Sequence, residues 1–159
     1  MALFNQAIIG GSVSGKQRQG GCLCGAIRYQ LDGDPFAADY CHCGQCRRVS
    51  GAPVTAWMDF NAEQVHWLSG TVTEYASSEK IRRGFCNRCG SCLTYRHLDY
   101  PQYTTLAITS LDDADDIAPN YHIYTDDALP WFEVKDDHLR HPTGGKAPKW
   151  VASSHSVDE

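Results

Sequence analysis

Long apolar runs are missing from this chain of 159 residues. None approaches the roughly 20 apolar residues that a membrane-spanning helix needs. Basic charge is scarce as well: 14 Lys and Arg against 19 Asp and Glu leave a net charge of −5. A general nucleic-acid binder carries a basic footprint, so no nucleic-acid partner is expected, and no membrane partner either. The first stretch, "MALFNQAIIGGSVSGKQRQGG", has no basic segment ahead of its short apolar part, which argues against a secretory leader and for a cytoplasmic protein. Helical periodicity is also nearly absent. What remains, 42% apolar and 21% charged residues, is the composition of an ordinary soluble globular protein, long enough for one domain with a real core.

The organisation follows from the punctuation. Residues 1–19 are polar and rich in Gly, Ser and Gln, and read as a flexible arm. Residues 142–159 read as a tail, with Trp150 able to dock back onto the body. The domain between them, 20–141, is expected to be all-β. Strands are expected at 26–31, 53–60, 65–70, 71–77, 92–97 and 103–111, where β-branched and aromatic residues run at strand length. A further strand over 120–134 leads into a Pro-Trp turn, and the acidic stretch 111–119 reads as a loop. At most a turn or two of helix follows Cys43, around "GQCRRVS".

Against this plain background stand eight cysteines, in three clusters: "CLC" (Cys22, Cys24), "CHCGQC" (Cys41, Cys43, Cys46) and "CNRCGSC" (Cys86, Cys89, Cys92). Without an export signal, a reducing compartment and a metal such as zinc fit this clustering better than disulfides. In an extended segment, residues i and i+2 share a face. Cys22 with Cys24, and Cys41 with Cys43, can therefore each turn toward one ion while His42 points away. The C-x-x-C pairs Cys43/Cys46 and Cys86/Cys89 suit tight knuckles, and "NRCG" supplies the glycine such a turn prefers. A redox role for C-x-x-C expects a βαβ context that is missing. Spacing leaves the combination open: four thiolates plus four, or four plus three with one spare.

Five arginines, Arg47, Arg48, Arg82, Arg83 and Arg88, lie within six residues of a cysteine ligand candidate. They suit either an anionic substrate or charge compensation of thiolate centres. Three other patterns are set aside. The G-x-x-x-x-G-K match at 10–16 is followed by Gln17 where a phosphate-binding loop needs a hydroxyl. "DDADD" (112–116) lacks the glycine and glutamate of a calcium loop. His138 and His141 are three apart, but surface histidines at such spacing are common.

Taken together, "GGCLCGAIRYQL", "CHCGQCRRVSGAP", "FCNRCGSCLTY" and "PNYHIYTDDALPWF" resemble the glutathione-dependent formaldehyde-activating enzyme family, which also includes centromere-protein-V-like domains. The resemblance covers residues 20 to about 135 and implies a β-tent fold of small antiparallel sheets organised around zinc knuckles. It also implies two Zn²⁺ ions. Cys22, Cys24, Cys86 and Cys89 would form a closed structural site, and Cys41, Cys43 and Cys46 a second site with an open position. The sequence departs from the family pattern at Cys92, which is either a buried free thiol or a fourth ligand that closes the second site.

The activity so implied is that of a zinc-dependent carbon–sulfur lyase. It would join glutathione, or a similar small-molecule thiol, to formaldehyde or a related small aldehyde, and cleave the adduct in reverse. Arg47 and Arg48 are the expected substrate contacts. No side chain of the motifs stands out as general base, and His42 is the candidate for a catalytic proton shuttle. A non-catalytic zinc scaffold, or a lyase for a different thiol adduct, remains the alternative.

Overall fold

The computed structural model describes residues 15–144. The outer part of the expected arm, and the expected tail from residue 145 with Trp150, lie outside the described residues. Among the described residues the chain forms β1 (Gln17–Gly21), β2 (Arg28–Asp32), β3 (Ala37–Cys41), a short helix α1 (Gly44–Ser50), β4 (Thr55–Asn61) and β5 (Val65–Ser69). Then follow β6 (Thr73–Ala76), β7 (Ile81–Phe85), β8 (Cys92–His97), β9 (Tyr103–Ala107), β10 (Tyr121–Ile123) and β11 (Leu139–Arg140). No helix among them is long and apolar enough to cross a membrane.

Two sheets result. One has three strands, in the order β1-β2-β5, all antiparallel. The other has eight, in the order β11-β10-β3-β4-β9-β8-β7-β6. It is antiparallel from β3 through to β6, and β10 adds on in parallel to both β3 and β11. The all-β expectation holds, with four strands that composition does not announce: β1 in the small sheet and β3, β7 and β11 in the large one.

β1, β3 and β7 are explained by context. β3, "AADYC", and β7, "IRRGF", are polar or glycine-bearing, yet each lies between two partners in the large sheet and is held by their ladders. Neighbours override weak intrinsic preference in a strand. β1, "QRQGG", starts inside the segment expected as an arm; β2 recruits it in register, Gly20 opposite Tyr29 and Arg18 opposite Leu31. The expected strand over 120–134 stops at Ile123, because Tyr124 takes a left-handed backbone conformation (φ 56°) that ends the ladder. β9 likewise ends at Ala107, where a 3₁₀ turn, Ile108–Ser110, takes over.

The main core lies between the sheets. Tyr29 and Leu31 of the small sheet, alternating with polar neighbours, meet Ala38, Met58, Phe60 and Leu106 of the large one. All but Ala38 are fully buried. Each such side chain contributes about 1.5–3 kcal/mol by leaving water. β4 shows how the large sheet serves two purposes. Met58 faces this core, while its neighbour Trp57 turns to the opposite face and packs with Cys41, Cys46 and Ala107. Both are buried, so this strand is covered on both faces at its middle.

Candidate metal centres and the cleft between the strands

The first two cysteines sit in the turn that joins β1 to β2, and Cys86 and Cys89 in the turn that joins β7 to β8. Each turn reverses through a glycine with positive φ, Gly25 (73°) and Gly90 (77°), where a side chain would be strained. The four Sγ atoms converge within 4.8 Å of one another. Cys22 to Cys24 is 3.6 Å and Cys24 to Cys86 is 3.9 Å. Four sulfurs at about 2.3 Å from a tetrahedral zinc stand about 3.8 Å apart, so the donor set fits that ion. All eight cysteines are unbridged. The surroundings also fit thiolates: the Ile27 amide donates to Cys22 Sγ (3.2 Å), and Ser91 lies 3.3 Å from Cys89 Sγ. Leu93 and Ile27 cover the group from the core side.

The second centre is made where β3 runs into α1. Cys41 ends the strand, Cys43 caps the helix, and Cys46 follows one turn later. The Cys46 amide donates to Cys43 Sγ at 3.3 Å, which folds the C-x-x-C pair into a knuckle. The three Sγ atoms lie within 4.8 Å of one another. Hydrogen bonds from Cys41 and then Cys46 pull the Cys43 thiol down to about 2, and the same exchange pushes Cys41 up. A three-sulfur set of this kind leaves a tetrahedral ion one position to share with an outside ligand.

His42 lies between two of these cysteines and takes no part in their group. Its Nε2 is 2.8 Å from His122 Nδ1, with the two rings stacked, and His122 Nε2 is 3.1 Å from Asp136 Oδ2. Arg140 donates to the other oxygen of Asp136 at 2.9 Å. Burial, and then the charge of His122, hold His42 below its ordinary range. This chain of side chains ties β3 and β10 to residues 136–140. The two carboxyl-terminal histidines are split: His138 approaches the His122 ring, while His141 lines the cleft described next.

Strand alternation explains that cleft, a cavity of about 1120 Å³. One face of the large sheet is its floor. Along the registers, Cys41 lies opposite Thr55 and Ile123, Asp39 opposite Trp57 and Tyr121, and Asp59 opposite Thr105. Thr105 in turn lies opposite Tyr95, and Tyr95 opposite Arg83. The three cysteines, with Gln45 and Arg48 of α1, close one end.

Arg83 is the cation at that end. It is buried, crosses the ring of Tyr95 at 5.3 Å, and donates to Gln45 Oε1 (2.9 Å) and Cys46 Sγ (3.6 Å). Of the two expected substrate contacts, Arg48 lines the cleft, whereas Arg47 is not among its lining residues. Cys92 packs beside Cys41 and Cys46 but stands outside their three-sulfur group, and lines a smaller cavity of about 360 Å³. Burial raises its thiol, and the charge of Cys46 adds to that.

Asn120, Tyr121, Ile123, Tyr124 and Asp127 of the cleft fall in the quoted segment "PNYHIYTDDALPWF", whereas Asp39 and Asp59 are signalled by no motif. Asp39 is buried and Asp59 half-buried, and loss of water pushes them up to about 8 and about 6; the charges of Asp59 and Cys43 add to the first. A carboxylate two residues before Cys41, and another two after Trp57, share their face by alternation. That parity is the signal that finds them once β3 and β4 are paired.

A β fold of two sheets with two converging thiol centres, one closed and one facing a large cleft, defines a class of cysteine-knuckle β proteins. The profile of the glutathione-dependent formaldehyde-activating enzymes matches residues 17–127, and the chain belongs to that family. Its fold is similar to that of a crystallised Rhodobacter sphaeroides protein from structural genomics, at 21% identity and a TM-score of 0.51, over 64% of this chain and 91% of that one. No curated protein matches the chain.

Proposed function

We propose that the protein is a zinc-dependent carbon–sulfur lyase that joins glutathione, or a similar thiol, to formaldehyde or a related small carbonyl compound, and cleaves the adduct in reverse. The observation that carries this reading is the three-thiol group at the end of a substrate-sized cleft. Family membership supports glutathione and formaldehyde as the reactants. Cys22, Cys24, Cys86 and Cys89 would hold the structural ion; Cys41, Cys43 and Cys46 would hold the ion that meets substrate. Zinc so bound supplies one kind of chemistry: it keeps a coordinated thiol deprotonated at neutral pH.

The chain's own residues do the rest. Trp57, Tyr95 and Ile123 wall the cysteine end and exclude water, which strengthens every charge interaction inside. Arg83, held by Gln45 and Tyr95, sits at Cys46 and offsets the negative charge of the sulfurs. Arg48 at the rim is placed for an anionic group of the substrate. The cleft holds thiol and aldehyde together, which removes much of the entropic cost of their meeting. One carbon–sulfur bond forms, the thiol's proton ends on the former carbonyl oxygen, and no oxidant or reductant takes part. His42 is assigned a positioning role, fixing the segment between Cys41 and Cys43 through His122 and Asp136.

Exchange spectroscopy by NMR on ¹³C-formaldehyde with glutathione tests the activity. The protein is expected to speed interconversion of free aldehyde and S-hydroxymethyl adduct. A rate equal to the uncatalysed one, from protein carrying its metal, refutes the lyase. In a cobalt-substituted sample, glutathione should change the absorption spectrum; no change refutes thiol binding at the metal.

A further inference from the structure

The far end of the cleft is built from different chemistry. From Cys41 back to Asp39 is one two-residue step of β3, about 7 Å. Asp59 of β4 lies opposite Ala37, which puts it about 13 Å along the strand from Cys41. Asp39 is 5% exposed, lines the cleft, and has a buried Oδ2 with no hydrogen-bond partner. Asp59 accepts from Thr105 through its Oδ1 at 2.5 Å. Among the described residues no ion pair reaches either carboxylate. Trp57 and Tyr121 lie opposite Asp39, Tyr103 lines the same cleft, and both phenols feel the carboxylate charge.

A buried and a half-buried carboxylate without a cation are costly. A site that combines carboxylates with aromatic rings suits a cationic nitrogen, which pairs with the first and is compatible with the second. A metal ion suits it less, since the pair has no third ligand: neither Asp39 nor Asp59 belongs to a group of three metal-ligating side chains among the described residues. We infer that Asp39 and Asp59 form a subsite for the ammonium group of a thiol substrate, with the sulfur at the Cys41, Cys43 and Cys46 end. The inference deepens the proposed lyase function and rests on its placement of the thiol.

The separation then sets the substrate's length. Sulfur and ammonium must be about 7–13 Å apart. In a γ-glutamyl thiol such as glutathione, roughly eight covalent bonds separate them, about 9 Å when extended. In cysteine or cysteamine about three bonds separate them, about 4 Å, too short to reach both ends. The cleft thereby selects amide-extended aminothiols over small ones.

Calorimetric titration of the zinc-loaded full chain tests this with glutathione and N-acetylglutathione, which differ in the ammonium charge. Acetylation is expected to weaken binding about tenfold or more in the wild type. In the double variant Asp39→Asn, Asp59→Asn it should change affinity by less than about twofold, because the charge it removes no longer has a partner, and each single variant should fall between the two. Equal binding of the two thiols by the wild type overturns the subsite and leaves the thiol reading standing; this comparison needs no variant. S-Methylglutathione and its N-acetyl derivative separate the two ideas from the other side. If glutathione shows no metal contact yet the S-methyl pair is still discriminated, the subsite survives and the thiol reading falls.

Discussion

Asp59→Asn should stabilise the protein, and the gain should grow with pH. The carboxyl is held between β4 and β9 with Thr105 as its donor, and an Asn keeps an acceptor oxygen for that hydroxyl while removing the charge. Burial raises the folded-state value from 3.8 to about 6. The folded chain then binds the proton more tightly than the unfolded chain, so ionisation opposes folding and stability falls as pH rises through this window. Full ionisation of the folded state costs about 3 kcal/mol. At about pH 5 the group is still mostly protonated in the fold, so only about half that cost is felt; by about pH 8 all of it is, and the advantage of the Asn variant should grow by about 1–1.5 kcal/mol. Relief of Asp39, whose carboxyl feels the Asp59 charge, acts in the same direction. Denaturant unfolding of metal-loaded wild type and variant at both pH values measures the difference. Protonation of the cysteine ligands is common to both proteins and cancels. A gain that does not change with pH, or a loss at the higher value, refutes the reasoning, because it would mean that the buried carboxylate is already compensated.

The two thiol centres should respond differently to loss of one sulfur. Cys86→Ser is expected to lose one metal equivalent together with cooperative unfolding, since structural zinc contributes on the order of 10 kcal/mol to folding. Cys43→Ser should lose the other equivalent and the lyase activity while the melting transition persists, with metal content and thermal melts as the readouts. Cys92→Ser should keep both ions, as its sulfur lies outside the three-sulfur group; loss of one ion would make it a ligand. Arg83→Met should weaken metal retention at the cleft centre about 10- to 100-fold, as expected when a group outside the ligands is removed. Competition with a chelator measures this, and unchanged retention would show that the arginine compensates nothing.

How much was legible depended on where the signal lay. The knuckles could be read because their chemistry is local: Cys43 and Cys46 meet across one helical turn, and Gly90 follows Cys89 directly. The face shared by Cys41 and Cys43, with His42 turned elsewhere, followed from alternation alone. The helix "GQCRRVS" was placed correctly because Cys43 caps it. β3 and β7 were not legible, since Asp39, Arg82, Arg83 and Gly84 are poor strand formers whose place is set by partners distant in sequence. With those strands unread, the cleft could not be assembled. Arg83 was counted with four other arginines, and only its opposition to Tyr95 on β8 separates it from them. Asp39 and Asp59 carry no signal of their own in the sequence for the same reason.

The arrangement divides labour between the two faces of one sheet. On the inner face, Met58, Phe60 and Leu106 meet the small sheet, and the closed thiol group clips the β1–β2 turn to the β7–β8 turn, so that both sheets are locked at one end. That closed group needs no substrate to complete it. On the outer face the same strands leave Trp57, Asp39, Asp59 and Cys41 along a cleft whose two ends differ in charge: Arg83 and Arg48 beside the sulfurs, two carboxylates beyond them. A cleft of that polarity orients a zwitterionic thiol. In glutathione the glycyl carboxylate is drawn to the arginine end and the ammonium to the aspartate end, so the sulfur arrives at the cysteines in one sense only. The cost of burying Asp39 and Asp59 uncompensated is borne by the free protein and released on binding, which turns a defect of folding into selectivity for the ligand.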